Sequence, residues 1–153
     1  MPDVRIRRLT VDDLAAARAT FAMLVEVFDE GGPVPLSEDY LGQLLGRESF
    51  WALAACVDDE VVGAITAHTL PMTRSPSSEL FIYDLAVRPD HQRKGIGRRL
   101  VLDLCAAAAR AGIATVFVPA DDEDAHALAF YRALGGVPAP VTIFTFSRSA
   151  GSH

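Results

Sequence analysis

The sequence predicts a mixed α/β domain. Three observations predict it: short β-rich runs, segments of helical apolar period between them, and turn residues at nearly every junction. The expected order is β-α-α-β-β-β-α-β-α-β, an antiparallel first half followed by strands separated by helices.

Residues 3–8 read as a short strand with Val4 and Ile6 on one face. Thr10 is expected to cap the first helix, with Asp13 as its capping-box partner. That helix runs to about Phe28 through Leu14, Ala17, Phe21, Leu24 and Val25, and Gly31-Gly32-Pro33 with Pro35 end it. Ser37 caps a second short helix with Tyr40, Leu41, Leu44 and Leu45 as its apolar stripe. Phe50 to Val57 and Val61 to Leu70 are β-rich and meet at Asp58-Asp59-Glu60, a hairpin signal. Glu79 to Val87 is nearly continuous in apolar and aromatic residues, which predicts a central strand buried on both faces, and Arg88-Pro89-Asp90 stops it. Gly97 to Ala111 is an alanine-rich helix closed by Gly112. Ile113 to Val118 reads as another buried strand, residues 122–134 as a helix ended by Gly135-Gly136, and Val141 to Phe146 as a closing strand. Residues 1–148 are expected to form one domain and residues 149–153 a flexible tail.

The 153 residues suffice for one core, and half of them are hydrophobic. No apolar run approaches the ~20 residues that span a bilayer, and the first residues lack the apolar segment of a secretory signal, so a cytoplasmic protein is expected. Cys56 and Cys105 lie far apart in apolar surroundings and read as buried free thiols. His68, His91, His126 and His153 have no ligand spacing, and no metal is expected. A net charge of -6, with Lys94 the sole lysine, argues against nucleic acid and suits a cationic small molecule. Asp121, Asp122, Glu123 and Asp124 form a solid acidic run.

From Tyr83 to Leu100 the chain reads strand, basic turn, glycines, helix. Gly95 and Gly97 let the backbone approach a ligand where a Cβ would collide. A helix start offers unpaired N–H groups and partial positive charge, which a diphosphate satisfies. Arg88, Arg93, Lys94, Arg98 and Arg99 raise the local potential. Glycine spacing alone also reads as a tight strand-to-helix turn with a solvated basic face. A dinucleotide fingerprint is disfavoured by Leu100 at its third glycine, and the Gly-Lys-Ser/Thr of a P-loop is absent.

The stretch from Leu85 to Leu100 resembles the acetyl-CoA signature of the GCN5-related N-acetyltransferase superfamily, Arg/Gln-x-x-Gly-x-Gly/Ala between a hydrophobic strand and a helix. The order of elements is similar to that superfamily's as well. The resemblance implies its fold, a mixed sheet with splayed central strands flanked by helices, and acetyl-CoA as co-substrate. It implies that pantetheine pairs with the backbone at Leu85, Ala86 and Val87, and that Gln92, Arg93, Lys94, Gly95, Ile96, Gly97 and Arg98 receive the pyrophosphate. Tyr131, with Gly135 four residues on, matches a tyrosine that protonates the departing thiolate; a core aromatic with its hydroxyl tied off is the other reading. Asp124 stands where the superfamily commonly has asparagine, and Gly136 where an aromatic often follows.

Asp39–Leu45, Phe50–Ala55, Val61–Ala64, Ile82–Val87 and Asp121–Tyr131 resemble the type I aminoglycoside 3-N-acetyltransferases. That implies acetyl transfer to the 3-amino group of gentamicin-like antibiotics, and with it antibiotic resistance. It also implies a homodimer, which Val141–Phe146 is apolar enough to join. Residue chemistry agrees on the acceptor: a polycation needs several carboxylates, and its amine must lose a proton before attack. Asp84 is the candidate that orients and deprotonates the amine beside Tyr83, with Asp121, Glu123 and Asp124 holding further charges and Asp122 merely solvated. Asp29 and Glu30 could extend the substrate wall. Asp84 also reads as a structural carboxylate, and the acidic run as a helix start. A route through an acetyl-cysteine is disfavoured, since neither thiol has a histidine beside it in sequence. The alternatives are an N-acetyltransferase for a polyamine or a protein N-terminus, and a non-catalytic acetyl-CoA-binding module.

Overall fold

The structure, a computed structural model, describes residues 3–29 and 36–148. Glu30, the Gly31-Gly32-Pro33 and Pro35 helix stop and the 149–153 tail lie outside the described residues. The chain divides into two compact units, Met1–Pro119 and Ala120–His153.

The first unit is built on a five-stranded sheet in the order β1 (Arg5–Arg8), β2 (Phe50–Val57), β3 (Glu60–Pro71), β4 (Ser78–Val87), β5 (Thr115–Phe117). All neighbours are antiparallel except β4 and β5, which run parallel. Its helices are α1 (Leu14–Phe28), α2 (Glu38–Leu45) and α3 (Ile96–Arg110).

Local chemistry fixes most boundaries. Thr10 is not the cap of α1, whose N-cap is Asp13, but the two residues do bond: Thr10 donates its N–H to Asp13 Oδ2 at 2.8 Å, and this bond holds the Asp13 carboxyl below its ordinary pKa. Regular helix begins at Leu14, one residue after Asp13. Ser37 caps α2, its hydroxyl accepting from the Tyr40 N–H at 3.1 Å. The β2–β3 hairpin turns through Asp58 and Asp59, both at positive φ (49° and 67°). A two-residue turn needs that conformation, and aspartate tolerates it better than most residues.

The two sheet faces bury different side chains. Phe50, Ala52 and Ala54 of β2 and Ala64 of β3 join a core with Ala17, Met23 and Leu24 of α1 and Leu41 and Leu45 of α2. By strand alternation Leu53 and Ile65 point to the opposite face. There α3 packs on β2, β3 and β4 with Ile96, Leu100 and Leu104 wholly buried.

The strand β4 departs from the expectation of burial on both faces. Thr66 pairs with Asp84 but Ala67 pairs with Ile82, so Tyr83 is an extra residue, a β-bulge. Leu80 and Ile82 are buried, whereas Ala86 belongs to the core on the α1–α2 side. The bulge therefore switches which face the even-numbered residues occupy. It leaves Tyr83 64% exposed, which corrects the sequence reading. The expectation of a buried 113–118 strand is corrected too: β5 is only Thr115–Phe117, and Phe117 is exposed. Its pairing with β4 ends at Phe81–Phe117, so Ile82–Val87 has no partner strand on that side among the described residues.

The second unit contains α4 (Ala125–Ala133). Asp124 is its N-cap, accepting from the Ala127 N–H at 3.0 Å, and Gly135 at φ 94° ends it. The closing strand expected at Val141–Phe146 is not formed. These residues make no backbone hydrogen bond to the described residues, and Val141, Ile143, Phe144 and Phe146 are all exposed. Their apolar pattern suits a strand, but a strand exists only with a partner to complete its ladder.

Candidate active site

The turn between β4 and α3 is made of backbone. After Val87 a short 3-10 turn over Pro89–His91 leads to Gln92, whose side-chain amide donates to Val87 O at 2.9 Å and ties the turn back to the strand. Arg93 and Gly95 both take positive φ, 64° and 80°. Such alternation brings successive N–H groups to one side as an anion-binding concavity. None of the amides from Arg93 through Arg98 donates to an acceptor among the described residues. They precede or open a 15-residue helix whose dipole points the same way. No atom lies within 4 Å of a Cβ built on Gly95, so glycine is needed there for conformation.

Gly63 of β3 escaped the sequence reading. A Cβ there would sit 3.2 Å from both Ala86 O and the Ile96 Cγ2, so this glycine lets the first residue of α3 pack against the sheet. A lone glycine in a strand signals close approach, but sequence alone does not name what approaches.

The basic side chains divide into two groups. Arg88 is engaged elsewhere: Nη1 lies 3.0 Å from Glu26 Oε2 and Nε donates to Val61 O at 3.1 Å. Arg99 donates to Val4 O at 2.8 Å. Both therefore brace the fold, which corrects their inclusion in the cluster at the turn. Arg93, Lys94 and Arg98 have no ion pair among the described residues and remain to meet an anion.

On β4 the bulge sets Tyr83 and Asp84 on the sheet face shared with Thr66 and His68. Asp84 donates its N–H to Thr66 Oγ1 at 3.2 Å, and its Oδ2 lies 3.5 Å from the same hydroxyl. Asp84 is half-buried and Tyr83 reaches solvent. The Leu85, Ala86 and Val87 backbone follows directly along the unpaired side of β4.

In the second unit, part of the acidic run is occupied with local backbone. Asp121 Oδ1 accepts from the Glu123 N–H at 2.9 Å, and Asp124 caps α4; Asp122 and Glu123 are exposed. The helix-start reading of this run thus holds for Asp124. Tyr131 is half-buried, and burial, then the nearby Asp124 charge, raises its pKa above the ordinary tyrosine value. The phenol is accordingly held protonated at neutral pH.

Both cysteines are free and half-buried, and burial raises both thiols, which makes them poor nucleophiles. A cavity of about 640 Å³ lies between β1–β2 and the C-terminal half of α3, lined by Ile6, Arg8, Trp51, Leu53 and Arg110 among others. It shares no residue with the turn or with Tyr83–Asp84, and none of the sequence candidates lines it.

A parallel strand pair parts here, and the freed strand runs into a helix start whose amides have no acceptor among the described residues, an arrangement with room for an extended, phosphate-bearing ligand. The sequence matches the Acetyltransferase (GNAT) family over residues 17–135, and the chain belongs to that family. It is an acetyltransferase, and the family's acyl donor is acetyl-CoA. The fold matches an aminoglycoside acetyltransferase from an uncultured soil metagenomic sample, solved in complex with trehalose, at TM-score 0.91 and 29% identity over 95% of this chain and 97% of that one. The same metagenomic enzyme is also known in complex with sisomicin. A second aminoglycoside acetyltransferase from an uncultured soil metagenomic sample matches at TM-score 0.88 and 32% identity over 96% and 99%. The [ribosomal protein bS18]-alanine N-acetyltransferase of Escherichia coli K12 is 34% identical over 64 residues, 42% of this chain and 43% of the relative. The match thus spans less than half of that curated relative.

Proposed function

We propose that this acetyltransferase acts on aminoglycosides, moving acetyl from acetyl-CoA to the 3-amino group of a gentamicin-like deoxystreptamine ring by direct transfer. One observation carries the reading: the β4 bulge sets Tyr83 and Asp84 together on an open sheet face, immediately before the unpaired strand segment and the free amides of the turn. The solved aminoglycoside acetyltransferases that match nearly the whole chain support the acceptor class.

Acetyl-CoA supplies the activated thioester. The Arg93–Arg98 amides hold its pyrophosphate, with Arg93, Lys94 and Arg98 adding charge, and the backbone of Leu85–Val87 pairs with its pantetheine arm. Asp84 accepts the ammonium proton of the acceptor, directly or through water, which frees the lone pair for attack. A β4 backbone N–H donates to the acetyl oxygen as charge builds there. Tyr131 is the proton donor to the leaving sulfur, a role suited to a phenol held protonated by burial. Tyr83, Asp121, Glu123 and Asp124 hold the remaining surface and charges of the acceptor.

The test is thiol release from acetyl-CoA with gentamicin and sisomicin, followed by mass spectrometry and NMR of the product. A single acetyl on the 3-amino nitrogen is expected. Acetylation at another nitrogen would overturn the position, and absence of turnover would overturn the acceptor class. The local match to the ribosomal-protein alanine N-acetyltransferase favours one second reading, a peptide N-terminus. An alanine-initiated peptide in the same assay separates the two.

A further inference from the structure

The sheet face that carries Asp84 also carries an unbroken series of aromatic rings. It begins at Phe21 of α1, which meets Phe50 at 6.2 Å between centroids; Phe50 meets His68 at 5.3 Å, and His68 meets Tyr83 at 5.7 Å. Tyr83 then meets Phe81 at 6.0 Å, and Phe81 stacks on Phe117 of β5 at 5.2 Å and 5°. The series crosses the sheet from β2 to β5 within the first unit.

Its two ends differ. Phe50 is core, 6% exposed, whereas Tyr83 and Phe117 are 64% and 40% exposed. Burial explains the first end; nothing in the fold requires rings at the second. Tyr83 meets His68 and Phe81 at steep angles of 82° and 67°, so neither neighbour covers its ring face to face. Contiguous exposed aromatic surface is unusual on a soluble protein and marks a place where something binds. The bulge brings Asp84 to the same face, next in sequence to Tyr83.

We propose that His68, Phe81, Tyr83 and Phe117 form a shelf that seats a saccharide ring of a cationic amino-sugar acceptor. This rests on the aminoglycoside reading and deepens it. A pyranose presents a flat set of axial C–H bonds that packs on aromatic faces. Asp84, at the shelf's edge, takes the amine that reacts. Charge complementarity favours this occupant: an anionic carboxylate beside apolar rings fits a ligand that is both cationic and ring-shaped. An acyclic polyamine offers the charge without the ring face. The shelf is therefore a device for discrimination, separate from the carboxylates that any polycation would satisfy.

Isothermal titration calorimetry with sisomicin and with spermidine tests this. Tyr83→Ala is expected to weaken sisomicin about tenfold, the size of a ring-packing contact, and to leave spermidine affinity within about twofold. Tyr83→Phe, which keeps the ring, is expected to restore sisomicin binding. Phe117→Leu, which keeps apolar bulk but removes the ring, is expected to weaken sisomicin by about threefold. Circular dichroism checks that each variant is folded. Unchanged sisomicin affinity in Tyr83→Ala and Phe117→Leu overturns the shelf, as does equal weakening of spermidine or failure of the wild type to bind sisomicin. Ring-dependent binding without thiol release leaves the shelf standing and sinks the proposed activity instead.

Discussion

The turn at Gln92–Arg98 and the face around Tyr83–Asp84 adjoin in sequence and are built on opposite principles. The turn presents backbone: amides without acceptors among the described residues, held by a glycine at positive φ and by the Gln92 side chain bonded back to Val87. The β4 face presents side chains, and a one-residue register shift decides which of them it presents. Backbone can serve a ligand part common to every reaction of a family, since phosphate oxygens ask only for N–H groups. Side chains on a bulge can vary with the acceptor while the turn stays as it is.

The largest expected effect breaks the two apart. Asp84→Ala should lower kcat by roughly two to four orders of magnitude, the usual contribution of a general base, while acetyl-CoA affinity measured by calorimetry stays near wild type. Parallel loss of coenzyme affinity would mean that Asp84 supports the strand and does not act on the acceptor. The reciprocal variant is Gly95→Val. Position 95 has space but a φ of 80°, so the substitution meets backbone strain and no clash. A β-branched residue there costs about 1–2 kcal/mol, and acetyl-CoA should bind about tenfold more weakly with sisomicin affinity unaltered. Equal weakening of both ligands would show that the turn and the face are not independent.

The smallest expected effect is a shift along the pH axis. Tyr131 has its pKa raised by burial first and by Asp124 second. A proton donor fails as pH rises through its pKa, so the alkaline limb of kcat should lie above pH 10, the ordinary tyrosine value. Asp124→Asn removes the negative charge, lowers the Tyr131 pKa and moves that limb to lower pH, while asparagine still caps α4. A limb that stays put or moves up would remove Tyr131 from the chemistry.

The sequence was readable where a local interaction sets the conformation. Ser37 capping α2, the Asp58–Asp59 hairpin, and Gly95 and Gly112 at positive φ all follow from residue types over a few positions. It was unreadable where a distant partner decides. The run from Glu79 to Val87 contains no glycine or proline to announce a bulge, so its apolar density suggested burial on both faces, whereas register with β3 turns Tyr83 outward. Arg88 looks like its basic neighbours until Glu26 and Val61 are seen to hold it. Val141–Phe146 has the composition of a strand, but pattern cannot supply the neighbouring ladder a strand needs. At the candidate site, Gly95 of the turn takes the positive φ its residue type suits, and Asp84 is proposed from its chemistry. The aromatic series was missed because Phe21, Phe50, His68, Phe81 and Phe117 come from five separate elements.

The bulge has a genetic consequence. Because Tyr83 is the residue that puts β4 out of step with β3, loss of that one codon in frame would leave Ile82 opposite Ala67 and Asp84 opposite Thr66 in regular pairing, each on its present face. The strand, the helix and the turn could all persist, with the Asp84 carboxylate still on its face and only the exposed ring beside it gone. One triplet is enough to take the ring from this face and leave the carboxylate where it stands.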